Sequence, residues 1–129
     1  MFKLEVEASF EAAHRLIDYN GPCRRVHGHH WVVRTRHEMA EIVRDGMTID
    51  LAVLKKTLRA EVAKFDHKSL NTELTCAPTA ENIARIVFQN LQKKDFGDKL
   101  IQVTVEETPG SRVIFCQELR TVRKDDAQG

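Results

Sequence analysis

Residues 23 to 31 read CRRVHGHHW: one cysteine, three histidines within four positions, and the only tryptophan among 129 residues. Imidazole and thiolate both bind divalent transition metals, and both move protons near neutral pH. His27 and His29 are two apart, so on an extended segment they share one side. Gly28 between them lets the backbone come close to whatever they bind. His14 falls on the apolar parity of the preceding strand and can meet them across a sheet. Three imidazoles from two neighbouring strands make a facial set for a divalent ion. Zinc suits them best, with copper, nickel and iron left open. The plain alternative is three solvated histidines on a hairpin, against which the nearby cysteine and the placement of His14 both count. His30 points the opposite way on an extended segment, and His37 reads as a surface residue.

Cys23 is open to two roles. As a fourth ligand it would close a structural site, whereas three histidines with an open fourth position would make a catalytic one. Its neighbours Arg24 and Arg25 favour a thiolate, which off the metal can act as a general base. Spacing alone does not choose between them.

Two further groups carry chemistry. In FDHKSLN (residues 65–71), Asp66 and His67 follow a helical stretch, and a carboxylate beside an imidazole fixes its tautomer and raises its basicity. An Asp-His pair in a loop is also commonly just solvated. Glu107 shares the parity of Ile101, Val103 and Val105, so its carboxylate lies on an apolar face where it needs a partner. That partner is either an arginine such as Arg112 or a planar pair of N–H donors on a ligand. Thr79 reads as a helix cap whose hydroxyl can also reach a ligand.

The elements that position these residues follow from periodicity. Phe2 to Phe10 alternates apolar and polar residues, the period of a half-buried strand. Asn20-Gly21-Pro22 turns the chain, and HWVVRTRHEM, from His30, continues as a second strand. Asp45-Gly46 is a turn signal, with Met47-Thr48-Ile49 as a returning strand. Asp50 caps a helix whose apolar face is Leu51, Leu54, Leu58, Val62 and Phe65. Thr79 caps a second helix with Ile83, Ile86, Val87 and Leu91 as its stripe. LIQVTVEE and Arg112 to Glu118 form the last two strands. The order ββααββ predicts an α+β domain over residues 1–119, with two helices on one face of an antiparallel sheet and a disordered tail over 120–129. Open sheet edges need protection, for which closure by oligomerisation is one solution.

Composition narrows the partners. Twenty basic against nineteen acidic residues give a net charge of +1, which argues against nucleic acid. MFKLEVEASF lacks the apolar run of a signal peptide, and no stretch is long enough to span a membrane. Three dispersed cysteines are no disulfide framework, and a reducing cytoplasm is expected.

FEAAH (10–14), CRRVHGH (23–29), IDLAVLK (49–55), FDHKSLN (65–71), PTAEN (78–82) and VEET (105–108) occur in this order along the chain. The set resembles the 6-pyruvoyltetrahydropterin synthase family, and within it the 6-carboxytetrahydropterin synthases of queuosine (7-deazaguanine) biosynthesis, whose C-x3-H-x-H spacing it is similar to. The resemblance implies zinc held by His14, His27 and His29, with Cys23 as the catalytic thiol and Asp66 and His67 in proton transfer. It also implies Glu107 as anchor of the pterin's amino-pyrimidinone edge, with Thr79 beside that ring. The implied fold is the tunnelling fold, whose subunits close their sheets into an oligomeric barrel, a trimer-based hexamer or tetramer, with active sites between subunits. The implied substrate is 7,8-dihydroneopterin triphosphate, converted to 6-carboxy-5,6,7,8-tetrahydropterin, acetaldehyde and triphosphate. The alternatives are a pyruvoyl-forming or side-chain-cleaving relative and, from another class, a non-catalytic domain with a structural zinc held by the cysteine and the three histidines. TRHEMAEIVRDG (35–46) and SRVIFCQEL (111–119) depart from the family pattern, and neither holds a proposed zinc or proton-transfer residue.

Overall fold

Alternation of apolar and charged residues from Phe2 makes a thirteen-residue strand, β1 (Phe2–His14), in which Ala8, Phe10, Ala12 and His14 are buried. A computed structural model of the chain describes residues 1–16 and 25–117. β1 pairs antiparallel with β2 (His27–Met39), from Phe2 opposite Met39 to His14 opposite His27. Directly opposed residues share a face, so the even positions of β1 and the odd positions of β2 point to the same core. Phe10 lies opposite Trp31, Ala12 opposite His29 and His14 opposite His27.

β2 also pairs antiparallel with β4 (Leu100–Thr108), and β4 with β5 (Ser111–Cys116). A two-residue strand, β3 (Lys68–Ser69), runs parallel to β1 at Ala12 and Ala13, giving the order β3-β1-β2-β4-β5.

Both expected caps form. The Asp50 carboxylate accepts the Ala52 N–H at 2.9 Å and starts α1 (Leu51–Val62). The Thr79 hydroxyl accepts the Asn82 N–H at 3.2 Å and starts α3 (Ala80–Leu91). A four-residue helix, α2 (Leu70–Glu73), lies between them. The helices bury Leu58, Val62, Ile83, Val87 and Phe88 in one cluster with Phe10, Trp31, Val33, Val103 and Val105 from the sheet. Phe10 stacks on Trp31 with ring centroids 5.8 Å apart. The buried Glu61 of α1 accepts from the Asn90 side chain of α3 and from Lys64, each at 2.8 Å, so the carboxylate is paired and the two helices are tied. No helix among the described residues is long and apolar enough to cross a membrane.

The fold is α+β as expected, with several corrections. The connection read as a plain loop contains β3 and α2, because Lys68 and Ser69 pair with Ala12 and Ala13 on the edge of β1 before the chain turns. Met47 to Ile49 form no strand: after the Asp45-Gly46 turn the chain reaches the cap at Asp50 too soon to pair, and only an Arg44–Met47 bridge remains. His37 is 5% exposed rather than on the surface, since the odd parity of β2 carries it into the core. A register irregularity beside it sets His37 opposite Leu100, so Leu100 is buried while Ile101 is only half-buried. Leu51 is exposed, at the helix start where the apolar stripe turns to solvent. The Asn20-Gly21-Pro22 turn and the 120–129 tail lie outside the described residues.

Candidate active site

His14 ends β1 and His27 begins β2, so antiparallel pairing alone brings these two rings together at one end of the sheet. His29 follows two residues on, on the same face. Ring centroids are 4.5 Å apart for His14–His27, 4.7 Å for His27–His29 and 5.2 Å for His14–His29. Glu107, near the end of β4, joins from the next strand. Its Oε2 is 3.0 Å from His14 Nε2 and 3.0 Å from His29 Nε2. One ligand atom from each of these four residues lies within 4.8 Å of the others.

The proton positions follow from what the rings touch. His14 Nδ1 is 2.7 Å from the Pro78 carbonyl oxygen, and His27 Nδ1 is 2.7 Å from that of Arg25. A carbonyl only accepts, so each Nδ1 carries the hydrogen and each Nε2 keeps a lone pair aimed at the cluster. His29 is held below the ordinary histidine value by burial, an effect that the Glu107 carboxylate opposes and that His14 and His27 reinforce. Burial thus favours its neutral form. Nε2 of His14 and Nε2 of His29 are buried and, among the described residues, have no hydrogen-bond partner, although a carboxylate oxygen stands 3.0 Å from each. Ring nitrogens and a carboxylate oxygen gathered this closely fit a divalent cation. Three imidazoles and a carboxylate are a donor set suited to zinc.

Asp66 and His67 form a second unit at the outer edge of β1. Asp66 Oδ1 accepts the Glu11 N–H at 2.9 Å, and its Oδ2 lies 3.1 Å from His67 Nδ1. The Glu11 amide first, and His67 second, hold the Asp66 carboxyl below its usual range. His67 has a left-handed backbone, φ 59°, and its own N–H donates to the Glu11 carbonyl at 2.6 Å. These contacts turn neighbouring side chains toward each other, which sequence adjacency by itself does not require. An open cleft of about 500 Å³ is lined by His29, His30, His67 and Lys68 together with Glu11. His29 of the metal-type cluster and His67 of the Asp66–His67 pair thus line one cavity.

The other expected site residues fall as follows. Cys23, with Arg24, lies outside the described residues. The Thr79 hydroxyl is used as the α3 cap, and the preceding Pro78 holds His14, so the start of α3 abuts the cluster. Arg112 is not the partner of Glu107: its Nη2 is 3.8 Å from Glu106, which also takes a 2.9 Å bond from Arg34. His30 turns to the opposite face, as its parity requires, and meets Glu11. The Pro78 carbonyl escaped the sequence reading because main-chain acceptors leave no mark in residue type. PTAEN points to it only as the stretch just before a capped helix.

A family model described as 6-pyruvoyl tetrahydropterin synthase matches residues 3–118. The chain belongs to the 6-pyruvoyl tetrahydropterin synthase family. Within this synthase family, a Synechocystis protein named 6-carboxy-5,6,7,8-tetrahydropterin synthase is 37% identical over 99 residues, covering 72% of this chain and 77% of its own length. The human 6-pyruvoyl tetrahydrobiopterin synthase is 32% identical over 128 residues, covering 85% and 88%. The structure of Caenorhabditis elegans 6-pyruvoyl tetrahydropterin synthase superposes with a TM-score of 0.81 at 29% identity, covering 91% of this chain and 96% of that one. The α+β sheet and helices are thus those of a solved family member.

Proposed function

We propose that this chain is a zinc-dependent 6-carboxy-5,6,7,8-tetrahydropterin synthase serving queuosine (7-deazaguanine) biosynthesis. It would take 7,8-dihydroneopterin triphosphate and water to 6-carboxytetrahydropterin, acetaldehyde and triphosphate. The observation that carries this reading is the gathering of three imidazoles and Glu107, with the buried Nε2 atoms of His14 and His29 unpartnered among the described residues, beside a cleft lined by His29 and His67. The name of the Synechocystis relative and the short C-x3-H-x-H spacing support the carboxy product over the pyruvoyl one.

His14, His27 and His29 hold the zinc. When bound, zinc supplies a Lewis acid that polarises side-chain oxygens of the substrate and makes adjacent protons easier to remove. Glu107 accepts the paired N–H donors of the amino-pyrimidinone edge, a two-point contact that fixes the ring's orientation. Thr79 lies alongside the ring. Cys23, as a thiolate favoured by Arg24 and Arg25, takes a proton from the side chain. His67, oriented by Asp66, gives and accepts the others, so that enolisation along the side chain leads to loss of triphosphate and then to carbon–carbon cleavage. Arg24, Arg25 or Lys68 receives the triphosphate. The working form is a cytoplasmic homo-oligomer in which Asp66–His67 of one subunit serves the Cys23 of its neighbour.

The test is incubation of zinc-loaded protein with dihydroneopterin triphosphate, with every product identified by mass. Acetaldehyde with 6-carboxytetrahydropterin is expected. Glycolaldehyde, or an uncleaved pyruvoyl product, overturns the assignment in favour of the corresponding relative.

A further inference from the structure

We infer that Glu107 is a fourth, displaceable ligand of the metal held by His14, His27 and His29, and that a pterin ring releases it. The inference rests on the zinc and pterin reading above and adds what happens to the site before substrate binds. Its starting point is a conflict. The Nδ1 hydrogen of His14 is committed to the Pro78 carbonyl, so a neutral ring presents a lone pair to Glu107. Carboxylate oxygen and imidazole lone pair face each other at 3.0 Å, and the same Oε2 stands 3.0 Å from His29 Nε2. For His14 two acceptors are set against each other, and at that separation they repel unless a cation lies between them. One divalent ion bound to all four residues removes the conflict, and the carboxylate lowers the charge that must be buried with it.

The four ligands are not equally fixed. His14 is 1% exposed and tied to Pro78, and His27 is tied to Arg25. The Glu107 side chain is 30% exposed and, among the described residues, has no hydrogen bond that anchors it, standing only against the two histidines. Glu107 is therefore the ligand able to leave, and it leaves toward solvent, the side from which a small molecule arrives. A carboxylate paired with the N–H donors of a pterin edge is no longer free to bind metal. Ring recognition and opening of the fourth metal position become a single event. Without substrate the metal is closed by four protein ligands, the arrangement of an inert site; with the ring seated it gains the open position a catalytic site needs.

The experiment compares wild-type protein with Glu107→Gln and Glu107→Asp, each checked for folding by circular dichroism. Zinc affinity is measured by competition with a chromophoric chelator, and ligand field by the visible spectrum of the cobalt-substituted proteins. Glu107→Gln is expected to weaken zinc on the order of 10-fold or more and to change the cobalt bands, with Glu107→Asp intermediate. Unsubstituted pterin added to wild-type cobalt protein should move its spectrum toward that of Glu107→Gln, a readout that needs no variant to fold. Unchanged zinc affinity and an unchanged cobalt spectrum in Glu107→Gln overturn the inference and leave the three-histidine site standing. Failure of the wild-type protein to take up either metal overturns the metal reading itself.

Discussion

Each imidazole of the cluster whose far nitrogen meets a carbonyl owes its readiness to bind to that partner. A ring whose Nδ1 hydrogen is held in this way offers its other nitrogen without first losing a proton. Replacing His27 with alanine removes one of the three proposed zinc ligands, a residue outside the apolar cluster. Loss of bound zinc by mass spectrometry and loss of turnover are expected with an unchanged circular dichroism spectrum; zinc retained at wild-type occupancy would exclude His27 as a ligand. In the proposed mechanism Asp66 acts through His67. Asp66→Asn keeps the shape but gives up the charge that orients the ring, and turnover should fall on the order of 10²-fold. The same substitution bears on acid stability. The Asp66 carboxyl lies below its ordinary 3.8 in the folded chain, so its contribution is present above that value and is lost as pH falls through the folded one. The variant should therefore lose less stability on acidification than the wild type, as read from denaturant midpoints.

The elements hold the site through their ends. Thr79→Ala removes the α3 cap and should cost about 1 kcal/mol in urea unfolding. Because Pro78 precedes the cap and holds His14, weaker zinc binding should accompany the loss. His37 illustrates how strand parity sets chemistry away from the site. Burial lowers it below 6.5, and Thr35, Thr57 and Asp95 line the same small cavity. Between the folded and unfolded values the unfolded chain binds the extra proton, so stability should fall as pH drops below about 6.5 and level off once the folded group also protonates. His37→Gln should flatten that slope in denaturation series from pH 7.5 to about 5. Gly97 has a different constraint. A Cβ there would sit 2.2 Å from the Gln92 carbonyl oxygen, a backbone atom that cannot swing aside. Gly97→Ala should destabilise by about 2 kcal/mol or more.

At the scale of the molecule, β3 covers only Ala12 and Ala13 on the outer side of β1, so among the described residues most of that long edge has no strand partner. Such an edge invites pairing with another chain. Sedimentation at a multiple of the 14.8 kDa subunit is expected, and a monomer at micromolar concentration would remove the oligomeric part of the proposal. Much of this architecture was legible in the residues themselves. Alternation marked β1, Asp50 and Thr79 marked the two long helices, and the parity of His14, His27 and His29 put three rings on one face, because period and capping are local properties. The tertiary structure decided what depends on partners far along the chain. It set His37 in the core, gave Arg112 to Glu106, brought Glu107 to the histidines and lent His14 a carbonyl 64 residues away. Side-chain period says which face a residue is on, but only strand register and helix docking say what stands opposite it, and at this site what stands opposite fixes the protons.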